Sequence, residues 1–260
     1  MLVPLDMLLL FKILFVPAVI AAISIAGRFW GPGISGLLGG LPVVAGPILV
    51  FLALDHGEAF AASSAQAALA GVISIGIFCY SYARASLRFG MMQSVIISLS
   101  GFALSTCLLY VFELSITCSL IIAVLLLIVF RLTFPKISET ANLYLVNLQD
   151  VILRMFAAAC LVLLITFTSE ALGPRLRGLL APFPIAGTIL AVFTHTKCGA
   201  DATRRLLSGF INGLFGMAIF DVLFATQVTN LGVAMTTLIA VPLALATSSL
   251  ASKAHQLAIQ

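Results

Sequence analysis

Two kinds of residue in this 260-residue chain could do chemistry: isolated charges inside apolar runs, and prolines flanked by glycine. Asp221 stands within Gly-Met-Ala-Ile-Phe-Asp-Val-Leu-Phe-Ala, 216–225. A carboxylate in such a run is suited to gaining and losing a proton, and so to coupling solute movement to a proton gradient. The structural alternative is an aspartate satisfied by a neighbouring helix or wet at an interface. Lys12 and Arg154 each lie one turn inside an apolar run. They either snorkel to opposite membrane surfaces or face a cavity and attract an anion.

The prolines are the second signal. Pro42 and Pro47 interrupt one apolar run beside Gly40 and Gly46, and Pro182 and Pro184 interrupt another beside Gly187. Proline lacks the backbone donor a helix needs and clashes with the carbonyl four residues earlier, so both helices should kink or unwind. Polar backbone freed at membrane depth must face protein or a watery cavity, and paired interruptions point to a substrate site between them. Asn212 and Gln66 are expected to add hydrogen bonds there.

Other chemistry is weakly signalled. Asp55-His56-Gly57-Glu58 puts acids beside an imidazole, but one short loop is a poor metal signature, and its counterpart Lys197-Cys198-Gly199-Ala200 carries the opposite charge. Cys79, Cys107, Cys118, Cys160 and Cys198 have no Cys-x-x-Cys spacing. The chain has no His-Glu-x-x-His, Gly-x-Ser-x-Gly or phosphate-binding glycine loop, so neither an enzyme, a metal site nor a bound cofactor is expected.

The elements that must position these residues are transmembrane helices. Hydrophobic residues make up 62% of the chain and charged residues 8%, with mean hydropathy +1.22. A soluble domain carries about 25% charged residues. The formal charge of +4 is scattered rather than clustered, which argues against nucleic acid as a partner. Crossing the hydrocarbon takes about 20 apolar residues, and nine segments qualify: 7–27, 33–54, 60–83, 91–111, 115–131, 150–169, 175–195, 203–226 and 230–249. The run Met91 to Phe130 is read as two helices turning near Glu113, because one helix would bury that carboxylate in mid-membrane.

With the N-terminus outside, the cytoplasmic loops hold Arg28, Arg84, Arg88, Arg131, Lys136, Lys197, Arg204 and Arg205, with Lys253 in the tail. Only Arg175 and Arg177 fall on the other side, which fits the positive-inside rule. The N-terminal stretch lacks a basic n-region and a cleavage site, so it is expected to remain in the protein.

A self-match at a constant offset organises the chain. Gly31, Pro32, Gly36, Pro42, Phe51 and Gly57 pair with Gly173, Pro174, Gly178, Pro184, Phe193 and Gly199, each 142 positions later, and Lys12 pairs with Arg154. Five crossings separate the copies, an odd number, so the second runs upside down. The expected fold is an all-α inverted-topology repeat of 4+1+4 helices. Residues 1–113 form the first copy, 114–149 the crossing helix and a cytoplasmic linker, and 150–260 the second copy, all in one membrane domain. Many secondary transporters use this plan.

The expected function is a small secondary transporter in a bacterial-type cytoplasmic membrane, moving a small solute, an anionic metabolite by preference, by alternating access. The alternatives are a channel, a non-transporting scaffold and a lipid-handling protein. Besides solute and lipid, a second copy of the chain is a candidate partner, since Gly- and Ala-rich helices permit small-residue contacts.

Overall fold

The computed structural model describes residues 7–112, 114–137, 147–171 and 183–259. Among them every regular element is a helix: α1 Met7–Trp30, α2 Pro32–Gly40, α3 Ala45–His56, α4 Glu58–Ala85, α5 Met91–Phe112, α6 Ile116–Leu132 and α7 Leu148–Ala171. A last stretch, Ile185–Ile259, runs 75 residues and turns at Gly199 (φ 82°) and Gly232 (φ 75°). Unbroken it would reach about 110 Å, several times the hydrocarbon thickness. Positive φ is open to glycine and costly for residues with a Cβ, and it divides the stretch into α8 (185–198), α9 (200–231) and α10 (233–259).

Six of these helical stretches are long and apolar enough to cross a membrane, the Ile185–Lys253 stretch being one of them. That makes the chain compatible with a multi-pass membrane protein. Its large exposed side chains agree: Leu104, Leu108 and Val111 on α5, Leu125 and Leu132 on α6, Phe156 and Leu164 on α7, and Leu238 and Leu250 on α10 are all apolar. The expected division of Met91 to Phe130 is present. Ser115 caps α6 by accepting from the Cys118 amide at 3.3 Å, satisfying one of the amides a helix start leaves over. Glu113 itself lies outside the described residues.

The expected kink in the second span is a full break. α2 ends at Gly40, Leu41 is extended (φ −70°, ψ 159°), and α3 begins at Ala45. Pro47 sits in the first turn of α3, where its missing donor is no loss. The Val43 amide donates to the Leu41 carbonyl at 2.7 Å and the Gly46 amide to the Pro42 carbonyl at 2.8 Å. Before α8, the Ile185 amide donates to Phe183 at 2.8 Å and the Thr188 amide to Pro184 at 2.8 Å. Both bonds recur 142 positions on. So does the turn that follows, Gly57 having φ 90° and Gly199 φ 82°. Arg175, Arg177 and Pro182 lie outside the described residues.

Packing brings matching elements together head to tail. The C-terminal part of α1 (Ile25, Phe29) lies beside the start of α7 (Leu148, Val151). The start of α4 (Ala61, Ala65) shares an apolar cluster with the end of α9 (Phe224, Val228), while Phe78 near the end of α4 packs with Leu207 and Phe210 near the start of α9. A Cβ at Gly232, just past α9, would lie 3.6 Å from Glu58 Oε1. α1 and α7 are thus antiparallel, as are α4 and α9.

The tightest crossing is α2 on α9. A Cβ on Gly36 would fall on the Leu206 carbonyl and one on Gly209 on the Gly33 carbonyl, while Gly40 and Gly213 face each other. Two Gly-x-x-x-Gly motifs, 36–40 and 209–213, make this approach possible, and both are used within the chain.

Gly36→Ala and Gly209→Ala should each cost about 1–3 kcal/mol through overpacking. Gly33→Ala, with 3.9 Å of room to the Arg205 carbonyl, should stay within about 0.5 kcal/mol. Melting of the detergent-purified variants checks this, and three equal midpoints would contradict the crossing.

Candidate functional site

The space between the two proline breaks is filled by Phe210 of α9. Its ring would meet a Cβ on Gly39 at 3.0 Å and one on Gly187 at 3.6 Å, and Phe78 of α4 would meet the same position on Gly187 at 3.4 Å. Gly40 and Gly46 likewise serve packing, Gly40 against α9 backbone and Gly46 against the Phe220 ring. Pro42 and Pro47 are half-buried and Pro184 is buried. These glycines and prolines are brought together by apolar contact.

Asn212 is engaged by a residue that sequence reading leaves in a loop. Arg131, at the end of α6, donates through Nη1 to Asn212 Oδ1 and through Nη2 to the Ala251 carbonyl on α10 at 3.4 Å. Gln66 donates to the Leu114 carbonyl at 3.4 Å, away from that pair. Tyr82, buried on α4, shares a hydrogen bond with His195 Nδ1 of α8 at 3.1 Å. Nothing in the spacing of Tyr82 and His195, 113 positions apart, announces it.

Arg154 is 2% exposed, so it is enclosed by the bundle. Its Nη1 donates to Ser24 Oγ of α1 at 3.4 Å, and its guanidinium lies 5.6 Å from the Phe193 ring centroid. A cavity of about 20 Å³ adjoins it, lined also by Ser24, Ser35, Thr194, Cys198 and Leu206. One turn earlier on α7, Asp150 pairs with Lys197 Nζ at 3.3 Å. The side chain of Lys12, the matching cation, lies outside the described residues.

Asp221 is fully buried on α9, and neither carboxylate oxygen has a hydrogen-bond partner among the described residues. Its counterpart Cys79 is equally buried on α4. At the α3–α4 turn, His56 meets Asp55 at 3.4 Å in an exposed pair. Among the described residues no three metal-ligating side chains come together.

Among the described residues, several cations lie at one end of the bundle. Arg28 lines a surface recess with Leu148 of α7, Lys197 meets Asp150, and Arg84 donates to the Thr133 carbonyl at 2.8 Å. Arg131 reaches α10 there, and the Tyr82–His195 bond ties these groups together. Asp55 and Glu58 mark the other end, where Glu58 approaches Gly232. No protein-family model, curated protein or solved structure matches the chain.

Phe210→Ala should lower stability by about 3–5 kcal/mol, the cost of emptying a ring-sized site in a packed interior. A small aromatic solute should recover part of that loss in a melting experiment. An unchanged midpoint would mean that this ring does not fill the gap between the breaks.

Proposed function

We propose that the chain is a small secondary transporter built as an inverted-topology repeat of nine spans, four on each side of a crossing helix. It moves a small anionic solute by alternating access across a bacterial-type cytoplasmic membrane. The observation that carries the reading is the head-to-tail packing of matching elements. α1 lies antiparallel to α7 and α4 antiparallel to α9, while the break bonds and the glycine turns recur at one offset. A duplication with parallel halves would set matching helices parallel; a two-fold axis in the membrane plane sets them antiparallel. Two such halves can exchange roles about a central site, which is what alternating access requires.

Three further observations support it. The gathering of cations at one end fits a cytoplasmic face, with the N-terminus outside and the C-terminus inside. Phe78 and Phe210, packed between the breaks, suit a carrier with a closed centre better than an open pore. Arg154 and Asp221, buried in apolar helices, are costly there and are the kind of residue that marks a solute or proton pathway.

Asp221 is assigned the coupling role. In proteoliposomes carrying an inward proton gradient and offered small monocarboxylates, Asp221→Asn should abolish accumulation against a gradient and leave solute exchange intact. Accumulation equal to the unmodified protein would remove the coupling role. Absence of both accumulation and exchange in the unmodified protein, across the solute panel, would remove the transporter reading.

A further inference from the structure

We propose that the recess between α1 and α7 binds an anionic membrane phospholipid, with its phosphodiester on Arg28 and an acyl chain against Ile25 and Val151. The proposal rests on the chain lying in a bilayer and not on its being a transporter.

The ends of two helices set the recess at the level of the lipid headgroups. α1 ends at Trp30 and α7 begins at Leu148. Ile25, Arg28 and Phe29 of α1 line the recess together with Leu148 and Val151 of α7. Trp30, the chain's single tryptophan, is 69% exposed beside it. An exposed tryptophan at the end of an apolar helix marks the membrane–water boundary, where its amphipathic ring is stable. From there the helices run inward. Ile25 lies about 4.5 Å deeper than Arg28 along α1, and Val151 lies one turn into α7. The exposed face of α1 goes on through Ala22 and Ala18, so the recess continues along hydrocarbon instead of closing on protein. A cation at the rim with apolar walls below it matches the polarity profile of a phospholipid.

Charge selects the headgroup. Arg28 is exposed and has no hydrogen bond or ion pair among the described residues. Other cations at this end are held by protein: Arg84 by the Thr133 carbonyl, Arg131 by Asn212 and Ala251, and Lys197 by Asp150. Asp150, next to Val151, is buried. It accepts from the Asn147 amide at 3.4 Å as well as pairing with Lys197, and it does not line the recess. A guanidinium matches the two free oxygens of a phosphodiester in a bidentate fork. No carboxylate lines the recess to receive an ammonium or choline group, so a headgroup of net negative charge is favoured over a zwitterionic one. Basic recesses between helices at this depth suit such headgroups.

Trp30 gives the test its reporter. The full chain is reconstituted in phosphatidylcholine bilayers with increasing fractions of phosphatidylglycerol, and one of the two lipids carries bromine on its acyl chains. Bromine quenches tryptophan fluorescence at short range, so quenching reads which lipid occupies the recess. Brominated phosphatidylglycerol should quench Trp30 at a several-fold lower mole fraction than brominated phosphatidylcholine. Arg28→Gln should bring the two curves together. Arg88→Gln removes an exposed cation of the same end that does not line the recess, and it should leave the preference intact. Ile25→Phe, at a position already 44% exposed, fills the recess without emptying the core. It should lower the preference several-fold although Arg28 remains.

Equal quenching by the two lipids in the unmodified protein would overturn the proposal. So would equal losses in Arg28→Gln and Arg88→Gln, the mark of a general surface field, or an unchanged preference in Ile25→Phe. Inorganic phosphate, added at constant ionic strength, should not displace the brominated lipid; displacement would assign Arg28 to a soluble anion instead. None of these readings involves flux, so the lipid site and the transporter reading fail separately.

Discussion

Hydrocarbon offers no hydrogen bonds, so a helix can be interrupted inside a membrane only where protein covers the exposed backbone. The architecture follows from that constraint. The second span breaks at 41–44, and two of the freed groups are closed locally by the bonds from Val43 and Gly46. The rest of the break needs a neighbour close enough to exclude lipid. α9 supplies it, and the approach of α2 down to backbone contact at Gly36 and Gly40 is the geometric consequence. With α2 fixed, Phe210 is held between the two breaks, and α4, α6 and α10 arrange themselves around the same central helix.

The polar groups are placed by the same economy of contact. Arg131 and Lys197 lie at the basic end and reach a carbonyl, an amide oxygen or a carboxylate there. Arg154 and Asp221 are different. They are enclosed within the bundle, where an ionised group is expensive unless the surroundings compensate it. Arg154 has a hydroxyl, an aromatic face and a polar cavity around it. Asp221 lies among apolar neighbours on α9.

Much of this was legible in the sequence, and the reasons are local. The apolar runs, the separation of α5 from α6, and the interruptions at Pro42 and Pro184 depend on residues within a few positions of one another. The offset of 142 was legible because glycine and proline are constrained by backbone geometry, and Gly57 and Gly199 prove to share one conformation. What sequence reading missed lies between distant residues. The bonds Arg131–Asn212 and Tyr82–His195 span 81 and 113 positions, and no spacing rule connects such pairs. The two Gly-x-x-x-Gly motifs were visible, but a motif of small residues does not name its partner, and only the crossing of α2 and α9 does. The expectation of a solute space directly between the breaks met an aromatic ring whose position depends on three helices at once.

The central claim is that the two halves are inverted relative to each other, and the turns before α4 and before α9 test it most directly. Asp55 and Lys197 correspond at the offset of 142, and both are exposed. Each is replaced by cysteine in turn, with Cys198 changed to alanine, and labelled with a membrane-impermeant thiol reagent in right-side-out and inside-out vesicles. The account predicts labelling from opposite sides, with position 55 outside and position 197 inside. Labelling of both from the same side would contradict it.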